Sequence, residues 1–458
     1  MKKEFRLRSM LLAIVCGFSI FSVHGQYLRT SYFMDGAYNR LQLNPALVPS
    51  RGFVGIPGLG SINAAVSSNS LGTQDVIDCI GSTDYFFNND NFYSRLKDMN
   101  DVSAAAAVDI INFGFVRGKG FWSFNVGIRV DGDASIHKSM FDYLRETSHD
   151  DFSWSNADIN VQTEKMKAHA YTEIGAGYAR QMTDKLTVGA RFKVLLGMAN
   201  MNLEMNNLSV QSNIPDDYSL GMPAELAEAR IQSDAVLECN MRGLELTEKT
   251  NLDGTRTYVD AMELNSFGVG GYGAGLDLGV SYQLTNQLKL SASVIDLGFI
   301  SWTKSSSIIA RSKGEEVYDG TNYLDFLDRA ETSDVVDFDL LGLEIGDEQK
   351  ARTTRLCPTL VVGGEYAFLN NKLSAGVLST TRFGLLRTTT ELSLSANFRP
   401  TSLLGLSASY SMIQSAGKSF GLAFKLGPLM LGTDYMYLGE NSKSVNAFIG
   451  ISVPLAKL

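Results

Sequence analysis

Beyond its first residues the chain has no apolar run long enough to cross a bilayer as a helix, which takes about 20 residues. Cysteine is scarce. Cys16, Cys79, Cys239 and Cys357 are scattered through 458 residues, so no disulfide framework is implied. Proline is also scarce, at nine against 43 glycines, which excludes proline-rich linkers. Basic charge is short: 40 basic residues face 49 acidic ones, the opposite of the basic face that nucleic acid requires. Catalytic signatures are missing too. No H-E-x-x-H occurs, and His137, His149 and His169 lack metal-ligand spacing. The expectation is a protein that is not an enzyme, with no cofactor, no metal and no nucleic-acid partner.

The N-terminus reads as a secretory signal over residues 1–25. Lys2, Lys3, Arg6 and Arg8 precede the run Met10 to Phe21, about a dozen residues and too short to span. Gly25 and Val23 fill the −1 and −3 positions, so Gln26 starts the mature chain. Cys16 lies mid-run behind Val15, which does not suit a lipoprotein. Removing four basic residues and one acidic residue leaves 36 and 48, a mature charge of −12.

Much of the mature chain alternates with period two. Leu404, Leu406, Ala408, Tyr410 and Met412 oppose Gly405, Ser407, Ser409 and Ser411. Trp122, Phe124, Val126, Ile128 and Val130 oppose Ser123, Asn125, Gly127, Arg129 and Asp131. The same pattern recurs at 186–198, 276–283, 392–399 and 445–453. Such alternation suits strands with lipid on one side and a polar lumen on the other.

Turns come in two lengths. Gly118-Lys119-Gly120, Thr183-Asp184-Lys185, Thr285-Asn286-Gln287, Asn370-Asn371-Lys372, 399–402 and Gly427-Pro428 are hairpin turns. The stretches 69–101, 136–165, 205–269 and 303–353 are long and polar. Alternation of short and long connections predicts an all-β protein, a transmembrane antiparallel β-barrel of about fourteen strands over residues 52–458. Strands fall near 52–68, 102–117, 121–135, 166–182, 186–204, 270–284, 288–302, 354–369, 372–386, 388–399, 403–413, 419–427, 428–438 and 445–454. Residues 235–247 are also strand-like and are assigned to a hairpin within an outer loop. Short helices are expected in the loops at 223–230, 138–146 and 323–329.

Residues 26–51 are too apolar for a disordered tail, with Tyr27, Tyr32, Phe33, Met34, Tyr38, Leu41 and Leu43. Asn44-Pro45-Ala46 breaks any regular element. This segment is expected to fold into the lumen as a plug. Inward positions of the strands carry Arg129, Asp131, Glu173, Arg191, Lys193, Asp277, Glu365, Arg382, Glu391 and Arg399. Both signs together predict an internal ion-pair network that fixes the plug, rather than a charge-selective pore. Gly268, Gly270 and Gly273 match G-x-G-x-x-G but lead into a strand, where no phosphate cradle forms. Gly417-Lys418-Ser419 imitates the end of a P-loop, yet Met412 occupies its upstream glycine position. Asp131 and Asp133 flank Gly132, where they could touch a cation, but strand-end solvation is the favoured reading.

Leu28 to Met34, Gln42 to Leu47, Ile56-Pro57-Gly58-Leu59 and Ser293 to Trp302 resemble an uncharacterised family of Bacteroidetes outer-membrane barrels, a domain of unknown function. More distantly, Asn44-Pro45-Ala46 and the strand number resemble the FadL-type transporters of long-chain fatty acids and aromatic hydrocarbons. In that family an N-terminal hatch plugs the lumen, and the resemblance implies that Asn44, Pro45 and Ala46 lie in such a hatch. The same tripeptide is found in PorV-like and PorP-like accessory barrels of a secretion system. The chain departs from a common barrel habit in lacking a terminal aromatic. The resemblance implies residence in the cell outer membrane, with lipid as a partner and with two function classes: a conduit or binder for hydrophobic small molecules, or an accessory barrel working with secretion-system or surface-assembly proteins.

Overall fold

The computed structural model describes residues 28–72, 75, 89–149, 151–215, 223–252, 254–312, 314–331, 338–413, 418–436 and 442–455. The leader expected over residues 1–25, Cys79 and the last three residues lie outside these. Fourteen strands close on themselves. In order they are Phe53–Gly55 with Ser61–Ser68, Met99–Arg117, Gly120–His137, Glu164–Gln181, Leu186–Asn213, Gly271–Gln283 and Leu288–Trp302, then Arg352–Arg355 with Thr359–Phe368, Leu373–Phe383, Thr388–Phe398, Leu404–Ile413, Ser419–Leu426, Leu429–Thr433 and Ser444–Pro454. Every neighbour is antiparallel. Ala64 completes the ring, pairing with Ala106 on one side and Ala447 on the other. No helix among the described residues is long and apolar enough to cross a membrane.

Facing follows the alternation. Leu404 and Leu406 are exposed on the outside, while Gly405, Ser407 and Ser409 are buried inside. Around the ring, Ile128, Phe192, Leu278, Leu290, Val362, Val377, Leu394, Leu422 and Ile449 are exposed in the same way. Water would penalise such a continuous apolar belt, whereas hydrocarbon accepts it. Near the short turns the belt ends in aromatic rings: Trp122 against Tyr178 at 4.6 Å, Tyr366 against Phe368 at 4.8 Å, and Phe398. Amphipathic rings favour the membrane–water boundary. Gly118, at φ 59°, makes the two-residue turn between the second and third strands.

The long connections form one folded cap rather than separate loops. The strand Leu186–Asn213 runs on past the wall, and Glu228–Met241 pairs along its extension. Ser307–Ser312 and Gly314–Asp319 pair with Glu228–Met241 on its other side. The helices Lys138–Thr147 and Tyr323–Glu331 pack on this sheet, burying Leu144, Ile159, Val210, Ile231, Leu237 and Phe326 together.

Three sequence expectations need correction. Residues 223–230 do not form a helix. A single 3-10 turn, Ala224–Leu226, gives way at Glu228 to a strand. There Ala229, Ile231, Ala235 and Leu237 fill the cap core at every second position, and that burial outweighs their helix propensity. The strand-like stretch 235–247 lies outside the barrel wall, as expected, but its first half pairs with the extended wall strand. The hairpin in this region is Leu244–Thr250 with Thr257–Leu264. Finally, the thirteenth strand stops at Thr433 instead of running to 438, because Asp434 and Tyr435 turn inward to meet the N-terminal segment.

A plugged lumen as the candidate functional site

Residues 28–48 lie inside the barrel. Leu28, Tyr32, Phe33, Met34, Leu43 and Leu47 are buried against inward-facing Ile295, Val361, Leu378, Met430 and Phe448. Inward positions in an open pore are polar, so these five wall residues are unusual. Polar groups of the wall satisfy the backbone of the segment. Asp434 Oδ1 accepts from the Thr30 amide at 2.7 Å, and Ser407 Oγ donates to the Thr30 carbonyl at 2.6 Å. Arg399 Nη1 donates to the Phe33 carbonyl at 2.8 Å, and Ser293 Oγ to that of Leu43 at 2.5 Å. Arg29 pairs with Glu391 and lies over the Tyr435 ring, 4.9 Å from its centre.

The Asn44-Pro45-Ala46 turn sits against the wall. Asn44 Nδ2 donates to the carbonyls of Val280 and Ala292, each at 3.3 Å, and Asn44 Oδ1 accepts from the Ala46 amide at 2.9 Å. The turn fits because Gly189 and Gly279 leave room. A Cβ on Gly189 would stand 2.5 Å from the Pro45 carbonyl oxygen. One on Gly279 would collide with Asn44 Oδ1. The sequence pattern singles out the tripeptide but not these glycines. Their only signal is a missing side chain at lumen-facing positions.

All ten charged residues singled out in the sequence are buried, in separate groups. Arg129, Glu173, Arg191, Lys193 and Asp277 share one network. Arg129 Nη2 reaches Asp109 at 2.7 Å and Glu173 at 3.3 Å. Arg191 pairs with Glu173 and lies 3.7 Å from Asp277. Lys193 Nζ contacts Asp277 at 2.8 Å and Asp296 at 2.5 Å. Asp109 and Asp296 were missed in the sequence. Asp296 was hidden because it sits at φ 59° on a bulge that breaks the alternation. The network meets the plug where Gln42 Nε2 donates to Asp109 Oδ2 at 2.6 Å. Glu365 and Arg399 form a second group, 2.8 Å apart, close to Phe33 and Asp35. Glu391 holds Arg29. Asp131 and Arg382 pair away from the plug. Asp133 Oδ2 accepts the amides of Leu385, at 2.7 Å, and Leu386, at 3.1 Å, so the turn after Phe383 folds over the lumen.

Two small cavities lie between the plug and the wall. One cavity, beside Gly36, Lys425 and Gly450, holds about 10 Å³, and one beside Leu41, Phe53 and Asn112 about 40 Å³. Both suit water but not an aromatic ring, which fits a cavity of about 150 Å³.

A closed wall, an apolar belt and a lumen filled by the chain's own N-terminal segment define a plugged transmembrane β-barrel. The chain belongs to a family of unknown function, DUF5723, whose model matches residues 45–434. Among solved structures it is similar to the toluene transporter TbuX of Ralstonia pickettii, with 12% identity, 95% of this chain and 100% of that chain covered, and a TM-score of 0.42. It is also similar to the Pseudomonas putida toluene transporter TodX, with 10% identity, 94% and 93% covered, and a TM-score of 0.35. A Pseudomonas aeruginosa FadL homologue gives 9% identity, 91% and 92% covered, and a TM-score of 0.35. No curated protein sequence matches it.

Proposed function

We propose that this protein resides in the outer membrane as a non-enzymatic, gated conduit for hydrophobic small molecules, held closed by residues 28–48. The observation that carries the reading is the apolar seam between plug and wall. Ile295, Val361, Leu378, Met430 and Phe448 face inward where a water-filled pore would be polar. Any shift of the plug exposes these side chains to the lumen, and an apolar solute is the natural occupant of such a seam. The plug is held by hydrogen bonds and ion pairs, without a covalent link among the described residues, so it is able to move. The experiment deletes residues 27–48 and measures conductance in planar bilayers and uptake of hydrophobic compounds. Both should rise in a barrel that still shows heat-modifiable mobility. Unchanged conductance with unchanged uptake overturns the conduit.

A second reading, an accessory barrel for secretion or surface assembly, draws on the cap. Leu226, Leu252 and Val317 are exposed there, beyond the wall. Replacing all three with Ser should disturb a partner-dependent surface phenotype under this reading and leave uptake unchanged under the first.

A further inference from the structure

We propose that the upper lumen holds a zinc-type divalent metal ion between Asp131, His169 and Cys357. Asp131 and His169 are cross-strand partners on the third and fourth strands. Cys357 comes from the other side of the lumen, where Leu356-Cys357-Pro358 interrupts the eighth strand. One donor atom from each of the three lies within 4.8 Å of the others, and all three residues are buried. In a tetrahedral site with ordinary metal–ligand bonds, donors lie about 3.5 Å apart, so a small side-chain rotation closes the shell.

The donor set is itself selective. A carboxylate oxygen, an imidazole nitrogen and a thiolate sulfur together suit zinc and disfavour calcium or magnesium. His169 Nε2 lies 2.9 Å from Asp131 Oδ2, while His169 Nδ1 is buried without a hydrogen-bond partner. A polar atom left in that state is costly, and coordination through Nδ1 would give it a partner. Arg382 grips the other oxygen of Asp131 and fixes the carboxylate, as an outer-shell partner does. Charge balances as well. The metal displaces the thiol proton of Cys357 into solvent, so the thiolate and Asp131 cancel the ion's two positive charges, and Asp133 on the same strand face balances Arg382. Such an ion would tie the third and fourth strands to the eighth across the lumen. Sequence spacing hides it because its three ligands lie far apart along the chain.

The test uses the full mature barrel in detergent, reduced and stripped of metal, carrying Cys79→Ser and Cys239→Ser so that Cys357 is the remaining mature thiol. Co2+ alone is titrated as an optical probe, followed by Zn2+. One equivalent of Co2+ should produce a thiolate-to-cobalt charge-transfer band, release a proton, and be displaced by Zn2+. Cys357→Ser should abolish the band, and His169→Gln should weaken binding at least about tenfold. Failure of the parent barrel to bind stoichiometric Co2+, or a band that survives Cys357→Ser, overturns the site. Should Cys357→Ser lose its heat-modifiable mobility, His169→Gln and Asp131→Asn decide: unchanged Co2+ affinity in both overturns it.

Discussion

Gly189 and Gly279 are cross-strand partners on the fifth and sixth strands, and together they form a floor without side chains beneath the Asn44-Pro45-Ala46 turn. The wall therefore carries the imprint of the plug. A Cβ at Gly189 meets the backbone of Pro45 rather than the flexible end of a side chain, so the turn itself has to move.

Gly189→Ala should dislodge the turn at a cost of about 1–3 kcal/mol, the usual range for overpacking a filled interior. Channel recordings should show higher or noisier conductance than the parent. Gly364→Ala is the control, since its Cβ meets Leu290 at 3.5 Å, an ordinary contact. Equal conductance in all three proteins means that the glycine floor does not seat the plug.

Leu406 and Ser407 are neighbours on opposite faces of the wall. Leu406→Arg places a cation in hydrocarbon and should lower folding stability by about 2–4 kcal/mol near the midplane. Ser407→Ala removes the hydroxyl that donates to the Thr30 carbonyl at 2.6 Å and should cost about 1 kcal/mol. Denaturant titration into lipid vesicles ranks the two. Equal losses contradict the facing.

Arg129 stands between Asp109 and Glu173. Arg129→Met leaves two buried carboxylates short of a partner and should cost about 3–5 kcal/mol. The triple change with Asp109→Asn and Glu173→Gln should recover a large part of that loss. Absence of recovery in the same unfolding assay shows that packing, not charge pairing, is what Arg129 supplies.

Cys239 is enclosed in the cap core, and burial pushes its thiol up to about 12. A raised thiol pKa leaves little nucleophilic thiolate at neutral pH. In a protein carrying Cys79→Ser and Cys357→Ser, maleimide should label Cys239 only after unfolding, as read by intact mass. Rapid labelling of the native protein contradicts a folded cap.

Strand identity, facing and the fourteen-fold closure were legible in the sequence, because membrane strands write their environment residue by residue. Leu406 faces lipid and Ser407 faces the lumen whatever the neighbouring strands do. The burial of Arg129, Glu173 and Arg399 followed from the same two-residue period. Pairing did not, since a period says which way a side chain points but not what it meets across the lumen. Only the tertiary structure set Arg399 on Phe33, Glu391 on Arg29, and Asp131 beside His169 and Cys357, contacts between residues tens to hundreds of positions apart. Residues 223–230 show the converse: local propensity favoured a helix, and the extended wall strand beside them supplied the pairing and burial that made a strand. Facing is a local property of a chain in a layered solvent, whereas partners, plug seat and cap depend on closure of the ring, which no segment contains by itself.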